Sequence, residues 1–418
     1  MILKKLKISN YRSCNSTTLI PNSGLSALIG INGSGKSNLL SAILLLKKAT
    51  SASIRRFKNE DEEYVNQTDV YAEFECDGSS IAFEGKVFYL TNNQNIDQVN
   101  ETQLKWNLEN ITGEKGWIEL PIEMLSFRDE YRVIVSADSS KRLTYEEIAR
   151  DGWFEHRLME NILPRKVVKI FQNITEYLAH INYYSASQFS DPSRCPISLE
   201  FRDNRPTRRQ KDCIDHEQFM HDLYRSYISR STAFSRFMNI IGSNGIGLVD
   251  NLEFDTIHLP NSIVDVRAGG KMEKKERTNI VVVPTFLIDG NKLSPHQLSE
   301  GTFKTLALLF YVLTDDSQLL LVEEPEVCIH HGLLNSILEL IKDESRRKQI
   351  IISTHSDFVL DHLKPENVIL VDRIPNKGTK AGMISEALSK EDYKALKQYL
   401  KDSGSLGEYW RAGGFSDV

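Results

Sequence analysis

The sequence predicts an α/β protein built on a mixed, largely parallel sheet, and three observations carry that expectation. The apolar run SALIG leads into GINGSGKS (Gly30–Ser37), and an amphipathic stretch opens at Lys36, giving strand, glycine-rich loop and helix in succession. From Ile280 onward, VVVPTFLI, LLLVEE, QIIIST and VILVDR alternate with helical stretches after Gly301 and His331, the pattern of βα units. Between these ends, VYAEFEC, SIAFEGKVFYL, QLKWNLENI and WIEL are strand-like runs separated by Asn, Gly and Asp, which predicts an antiparallel subdomain.

In chain order, Ile2, Leu3, Leu6 and Ile8 alternate as a first short strand, and SALIG is the second. The helix from Lys36 places Leu39, Leu40, Ile43 and Leu44 on one face. The pattern is helical over Tyr145–His180 and Cys213–Ile241, without heptads long enough for an extended coiled-coil arm. NRPTRRQK (Asn204–Lys211) and GGKMEKKER (Gly269–Arg277) read as exposed loops. The nucleotide-type fold is therefore expected to be split. Residues 1–140 form its first part with the β-subdomain, 141–279 a mainly helical insertion, and 280–418 its second part.

The chain of 418 residues is 40% hydrophobic and 26% charged, the balance of a water-soluble globular protein. A net charge of −6 excludes uniform affinity for nucleic acid, so any DNA contact needs a local basic surface. Five scattered cysteines (Cys14, Cys76, Cys195, Cys213, Cys328) form no CxxC pair, which fits free thiols in a reducing compartment. The apolar runs Leu39–Leu46 and Leu306–Leu313 are too short to span a bilayer, and MILKKLKIS lacks a signal-peptide core. A cytoplasmic protein without a membrane partner is expected.

GINGSGKS matches G-x-x-x-x-G-K-[ST] in its required strand–loop–helix setting. The loop backbone of Gly30, Asn32, Gly33, Ser34 and Gly35 can curl around phosphate oxygens at the positive end of the following helix, with Asn38 in its first turn. Lys36 would reach the β- and γ-phosphates of ATP, and Ser37 would ligate Mg²⁺. LLLVEEPEVCIHH (Leu319–His331) alone fits a metal site, a catalytic carboxylate pair or a charged turn. The loop tips this choice: a buried strand ending in carboxylates is what such a fold needs, with Glu323 on Mg²⁺ and Glu324 polarising the attacking water. The spacing of Cys328, His330 and His331 matches no zinc motif. LSEGTFK (Leu298–Lys304) is a helix start whose serine could be an ordinary N-cap, and IIISTHS places His355 just past an apolar strand, where it could sense a γ-phosphate.

Together NYRS (Asn10–Ser13), GINGSGKS, LSEGT, LLLVEEPE, IHH and STHS resemble the ABC-type ATPase heads of the SMC, RecF and OLD group, over roughly residues 1–50 and 285–375. The resemblance implies an ATPase in which Ser299 and Gly301 touch the γ-phosphate held by a second subunit. It also implies that His355 is a switch histidine and that Arg12 lies near the nucleotide. The stretch after Glu324 would be the D-loop, with Ile329 and His331 departing from the usual EPExxLHP. Gln188 in YYSASQF is a candidate Q-loop ligand of Mg²⁺, or a plain loop glutamine. The middle resembles no long SMC coiled coil, and the stretch after His355 is too short for the TOPRIM nuclease of OLD enzymes. STHSDFVLDHLKPENVILVDR and GSLGEYWRAGGF are similar to the stand-alone ATPases of anti-phage operons, the Septu (PtuA-like) set. That likeness implies a homodimer of heads or a higher homo-oligomer, working with a separate HNH-type (PtuB-like) nuclease.

Arg205, Arg208, Arg209 and Lys211, with Arg55, Arg56 and Lys58, are candidate DNA contacts. Arg225, Arg230 and Arg236 interleave with Tyr224, Tyr227 and Phe234 as on a nucleic-acid face, or as on an amphipathic helix that buries its rings. A RecF-like DNA-repair ATPase without a dedicated nuclease is the alternative to the defence reading. Trp410–Phe415 would dock a partner or fold back on the head.

Overall fold

The computed structural model describes residues 1–50, 66–76, 78–91, 97–107, 117–120, 125–127, 130–132, 173–174, 176–202, 205–206, 216–266, 272–327, 329–402 and 404–415. Its strands in chain order are β1 (Ile2–Tyr11), β2 (Cys14–Leu19), β3 (Leu25–Ile29), β4 (Asn66–Cys76), β5 (Ser79–Thr91), β6 (Asp97–Asn107), β7 (Trp117–Leu120), β8 (Leu125–Phe127), β9 (Glu130–Arg132), β10 (Ile181–Ser185), β11 (Leu199–Arg202), β12 (Arg205–Pro206), β13 (Asn251–Val266), β14 (Met272–Ile288), β15 (Asn291–Leu293), β16 (Leu319–Glu323), β17 (Gln349–Thr354), β18 (Val368–Ile374) and β19 (Gly378–Met383). Its helices are α1 (Lys36–Thr50), α2 (His216–Ser229), α3 (Thr232–Ile241), α4 (Glu300–Thr314), α5 (His331–Glu344), α6 (Asp357–Asp361), α7 (Ile384–Ala387), α8 (Lys390–Lys401) and α9 (Leu406–Arg411).

The chain divides into two compact units, and the first comprises Met1–Tyr183, Asp316–Glu323 and Ser345–Val418. One of its sheets has the order β10-β16-β17-β3-β18-β19. Within it β16, β17, β3 and β18 are parallel neighbours, and β19 turns back antiparallel to β18. β3 and β17 are buried at every position, as continuous apolar strands of a sheet covered on both faces should be. The second sheet, β2-β1-β4-β5-β6-β7, is an antiparallel meander. Leu39, Leu40, Ile43 and Leu46 of α1 join Leu3, Leu6 and Ile8 of β1 and Leu319, Leu321 and Ile351 of the parallel strands in one core.

The C-terminal segment folds back within this unit. The Gly407 N–H donates to Asp361 Oδ1 at 2.7 Å, and the Arg411 guanidinium pairs with Asp357 at 2.9 Å. A Cβ on Gly407 would stand 2.3 Å from the Asp357 carbonyl oxygen, so only glycine lets α9 lie this close to α6. Tyr409 and Phe415 pack ring on ring at 5.1 Å.

The second unit comprises Tyr184–Asp315 and Glu324–Glu344. Its sheet, β12-β11-β14-β13 with β15 on β14, is antiparallel. α4 is buried from Phe303 to Leu313, all round rather than on one stripe. Phe189, Phe219, Phe303 and Tyr311 pack together there, Phe219 edge to face with Phe189 and Phe303 and the other pairs tilted, with ring centroids 5.4–6.2 Å apart. Tyr184, wholly buried here, has its phenol pushed far above the ordinary range by desolvation, and its O–H donates to the Lys304 carbonyl at 3.0 Å.

Three expectations change. The opening holds three strands rather than two, because CNSTTL is a strand that buries mainly small residues, Cys14 and Thr17, with Leu19. VVVPTFLI does not enter the parallel sheet: it is the end of β14, paired antiparallel to β13 and β11. Met272–Arg277 of GGKMEKKER is strand, the first part of that same β14. The helices expected within Cys213–Ile241 are present as α2 and α3. Of Tyr145–His180, residues 145–172 lie outside the described residues.

Candidate functional site

Parallel pairing fixes which residues share an edge of the first unit's sheet. Thr354 pairs with Ile29, and Glu323 with Ser353, so β3, β16 and β17 end together. The loop Gly30–Gly35, the Glu323 carboxylate and His355 therefore lie along one carboxyl-end edge, where ligands of open α/β sheets bind.

The loop has the shape its glycines predict. Gly33 and Gly35 adopt left-handed φ values of 82° and 108°. A Cβ on Gly33 would meet nothing, one on Gly30 would stand 2.1 Å from the Val371 carbonyl, and one on Gly35 would stand 2.0 Å from Thr379 Oγ1. The loop is thus packed on its inner side and open at its crest. Asn32, Gly33 and Ser37 are exposed, whereas Lys36 is buried. The Lys36 ammonium donates to the carbonyls of Gly30 at 2.7 Å and Ile31 at 3.1 Å, so it lies over the loop that α1 follows. Ser34 Oγ is buried without a hydrogen-bond partner. A cation folded onto an open-crested loop at a helix start fits a polyphosphate, and Ser37 with Glu323 offers the hydroxyl and carboxylate of a hard divalent cation.

Two features escape sequence reading. The Tyr183 hydroxyl, at the end of the first unit's share of β10, donates to Glu323 Oε2. It orients the carboxylate expected to hold the metal, as partners of ligating carboxylates do. Tyr183→Phe should leave the fold intact and raise the Mg²⁺ concentration for half-maximal ATP binding by roughly tenfold; a Mg²⁺ titration identical to wild type would remove this role. Glu324 has φ 49°, a left-handed conformation that costs a non-glycine residue about 1–2 kcal/mol. Strain of this kind collects at functional sites. The turn it opens is closed by Val327 N–H donating to its carbonyl at 3.2 Å.

NYRS is a tight hairpin turn. Tyr11 pairs with Cys14 across it, Arg12 has φ 49°, and the Arg12 guanidinium bonds Ser41 Oγ of α1 at 3.3 Å while lying 5.3 Å from the Tyr11 ring. Asn38 of α1 donates to Ser13 Oγ at 2.6 Å, which makes it a brace of the loop within the first unit. The Cys14 thiol is pushed up by burial, against hydrogen bonds from Thr17 and Ser13 and the charge of Arg12, so it is a packed thiol rather than a nucleophile.

Ser299, Gly301 and Gln188 belong to the second unit. Ser299 is the N-cap of α4, its Oγ accepting from Thr302 N–H at 3.2 Å, and it is exposed, so the capping role and an outward-facing surface coexist. Gln188 lies in a single 3₁₀ turn with a buried Oε1 that has no hydrogen-bond partner. In the same unit His330 and His331 are exposed at the start of α5, and among the described residues no three His, Cys, Asp or Glu side chains cluster as metal ligands.

The mixed arginine and aromatic stretch is mostly packing. Arg236 pairs with Glu344 and with Asp343 (3.2 Å), Phe234 is buried, and Tyr224 and Tyr227 pack on Phe254 at 5.2 and 4.9 Å. Arg225 and Arg230 are exposed. Arg55, Arg56, Lys58, Arg208, Arg209 and Lys211 lie outside the described residues, as do Cys213 and Cys328; Arg205 is described by its backbone alone, in β12. No helix among the described residues is long and apolar enough to cross a membrane.

The chain is 37% identical over 89 residues to the DNA replication and repair protein RecF of Leptospira biflexa, 20% of this chain and 23% of that protein. It is 32% identical over 88 residues to the DNA double-strand break repair Rad50 ATPase of Methanococcus maripaludis, 21% of this chain and 9% of that protein. The matches thus span under a quarter of those relatives' lengths. Among solved structures it is similar to an SMC head bound to the C-winged helix domain of ScpA (TM-score 0.46, 16% identity, 95% of this chain and 100% of that one). It is similar also to the SMC head domain from Thermotoga maritima (TM-score 0.41, 14% identity, 92% and 99%). The model of the family described as "AAA domain, putative AbiEii toxin, Type IV TA system" matches residues 25–361, a span that holds the phosphate loop, Glu323, Glu324 and His355. The chain belongs to this family of AAA domains.

Proposed function

We propose that the chain is an ATPase that binds and slowly hydrolyses ATP in a head-to-head dimer, and that its nucleotide state regulates a partner HNH-type nuclease in anti-phage defence of the Septu kind. The observation that carries the ATP reading is the shared edge of Gly30–Ser37, Glu323 and His355 on the parallel sheet. The loop backbone and Lys36 bind and orient the phosphates. Ser37 and Glu323 would hold Mg²⁺, which would supply charge neutralisation as the phosphate bond breaks. Glu324 accepts a proton from the attacking water, whose oxygen bonds to the γ-phosphorus as the bond to the β–γ bridging oxygen breaks and ADP leaves. In this reading His355, exposed just past the end of β17, senses the γ-phosphate.

Pairing of heads rests on the signature resemblance and on the exposure of Ser299 at the start of α4. In that arrangement Ser299 and Gly301 contact the nucleotide of the other protomer, and the turn after Glu324 meets that protomer too. A second reading, a RecF-like ATPase acting on DNA without a dedicated nuclease, is favoured by the 37% identity shared with RecF. Co-purification with the product of the neighbouring gene, followed by nuclease assays with and without ATP, separates the two. An HNH protein that co-purifies and cleaves only in one nucleotide state supports defence. A chain that copurifies with no nuclease and binds DNA junctions supports the RecF-like reading.

A further inference from the structure

The phosphate loop is tied from below to a residue 345 positions away in the chain. Thr379, on β19 and fully buried, donates its hydroxyl to the Ser34 carbonyl at 3.1 Å. Ser13 Oγ lies 2.7 Å from the same Thr379 oxygen, and Asn38 Nδ2 donates to Ser13 Oγ at 2.6 Å. A hydroxyl carries one hydrogen, so the direction of the chain is fixed. Thr379 has given its hydrogen to the carbonyl, so Ser13 must donate to Thr379, and Ser13 in turn accepts from Asn38. The relay runs Asn38, Ser13, Thr379, Ser34, every link pointing at the loop, and links of this kind polarise one another.

Pinning that carbonyl has a consequence at the loop's other face. In a planar trans peptide the C=O and the following N–H point opposite ways. Holding Ser34 C=O inward therefore aims the Gly35 N–H outward, toward the open side. Thr379 is itself fixed by its backbone: its N–H donates to the Ser13 carbonyl at 2.7 Å, and its carbonyl accepts from Thr17 Oγ1 at 2.6 Å. Loss of the hydroxyl leaves the residue in place. Gly35 completes the fit, since any Cβ there would strike Thr379 Oγ1.

We infer that Thr379 is a positioning residue for nucleotide binding, presetting the phosphate loop so that its amides face the phosphates. This role rests on the nucleotide reading given above. The test is equilibrium titration of the full chain with ATP and with ADP for wild type, Thr379→Val, Thr379→Ser and Ser13→Ala, with nucleotide-free melting alongside. Thr379→Val should weaken both nucleotides by about tenfold, the worth of one buried hydrogen bond, and Thr379→Ser should restore affinity to within about twofold. Ser13→Ala, which removes the donor to Thr379 together with the acceptor of Asn38, should weaken both by about threefold or more. If Thr379→Val fails to fold, Ser13→Ala decides. A Thr379→Val chain that melts lower yet binds both nucleotides as wild type does would make the contact merely structural and overturn the role, as would wild-type affinity in Ser13→Ala. A wild-type chain that binds neither nucleotide overturns the nucleotide reading and this role together, whereas failure of the variants alone to differ overturns only the role.

Discussion

Lys36→Ala is expected to abolish ATP binding while leaving the fold in place. The ammonium lies over its own loop, on the Gly30 and Ile31 carbonyls, and the loop's crest at Gly33 is open. A lysine serving two phosphates makes charge-assisted hydrogen bonds of about 1.5–3 kcal/mol each, so its removal should weaken binding by roughly a hundredfold or more. Alanine is the best helix former and Lys36 opens α1, so the helix keeps its start. The check is paired: the nucleotide-free melting temperature should stay close to wild type, while the upward shift that ATP gives wild type vanishes.

Glu324→Gln should separate binding from turnover. Glutamine keeps the shape and hydrogen-bonding reach of glutamate and meets the same left-handed backbone at φ 49°, but it cannot take a proton from water. General-base catalysis is worth about 10²–10⁴-fold, so phosphate release should slow by that order while ATP affinity stays within about twofold. Paired heads holding unhydrolysed ATP should then accumulate, visible as an ATP-dependent rise in mass by sedimentation. Turnover at the wild-type rate would take Glu324 out of the reaction. The neighbouring carboxylate should respond differently: Glu323, oriented by Tyr183, belongs to the metal side and its loss should appear first as a changed Mg²⁺ requirement.

Much of this edge was legible in the residues because its signals are local. A strand, a glycine-rich loop and a helix start within GINGSGKS specify one another through φ requirements and phosphate geometry, and β3, the loop and α1 take those places. LLLVE and QIIIST read as buried parallel strands because both faces are covered, and both are buried save for the half-buried Glu323. What periodicity does not carry is the choice of sheet. VVVPTFLI has the apolar content of a parallel core strand yet pairs in a long antiparallel hairpin, because its partner β13 lies just before it in the chain. The arginines of α2 and α3 show the same limit. Their spacing with aromatics suits a nucleic-acid face, but the acids that hold Arg236 lie over a hundred residues away, at Asp343 and Glu344. Tyr183 and Thr379 were illegible for that reason also: each acts through a contact made only when distant strands meet, Tyr183 on Glu323 and Thr379 on Ser34.

Equilibrium titration of the purified chain with ATP, with and without Mg²⁺ and beside Lys36→Ala, tests most directly that the carboxyl-end edge of β3, β16 and β17 is a nucleotide site. Saturable binding of one ATP per chain, tightened by Mg²⁺ and lost in Lys36→Ala, is the predicted result. No saturable binding by wild type, or undiminished binding by Lys36→Ala, would contradict it.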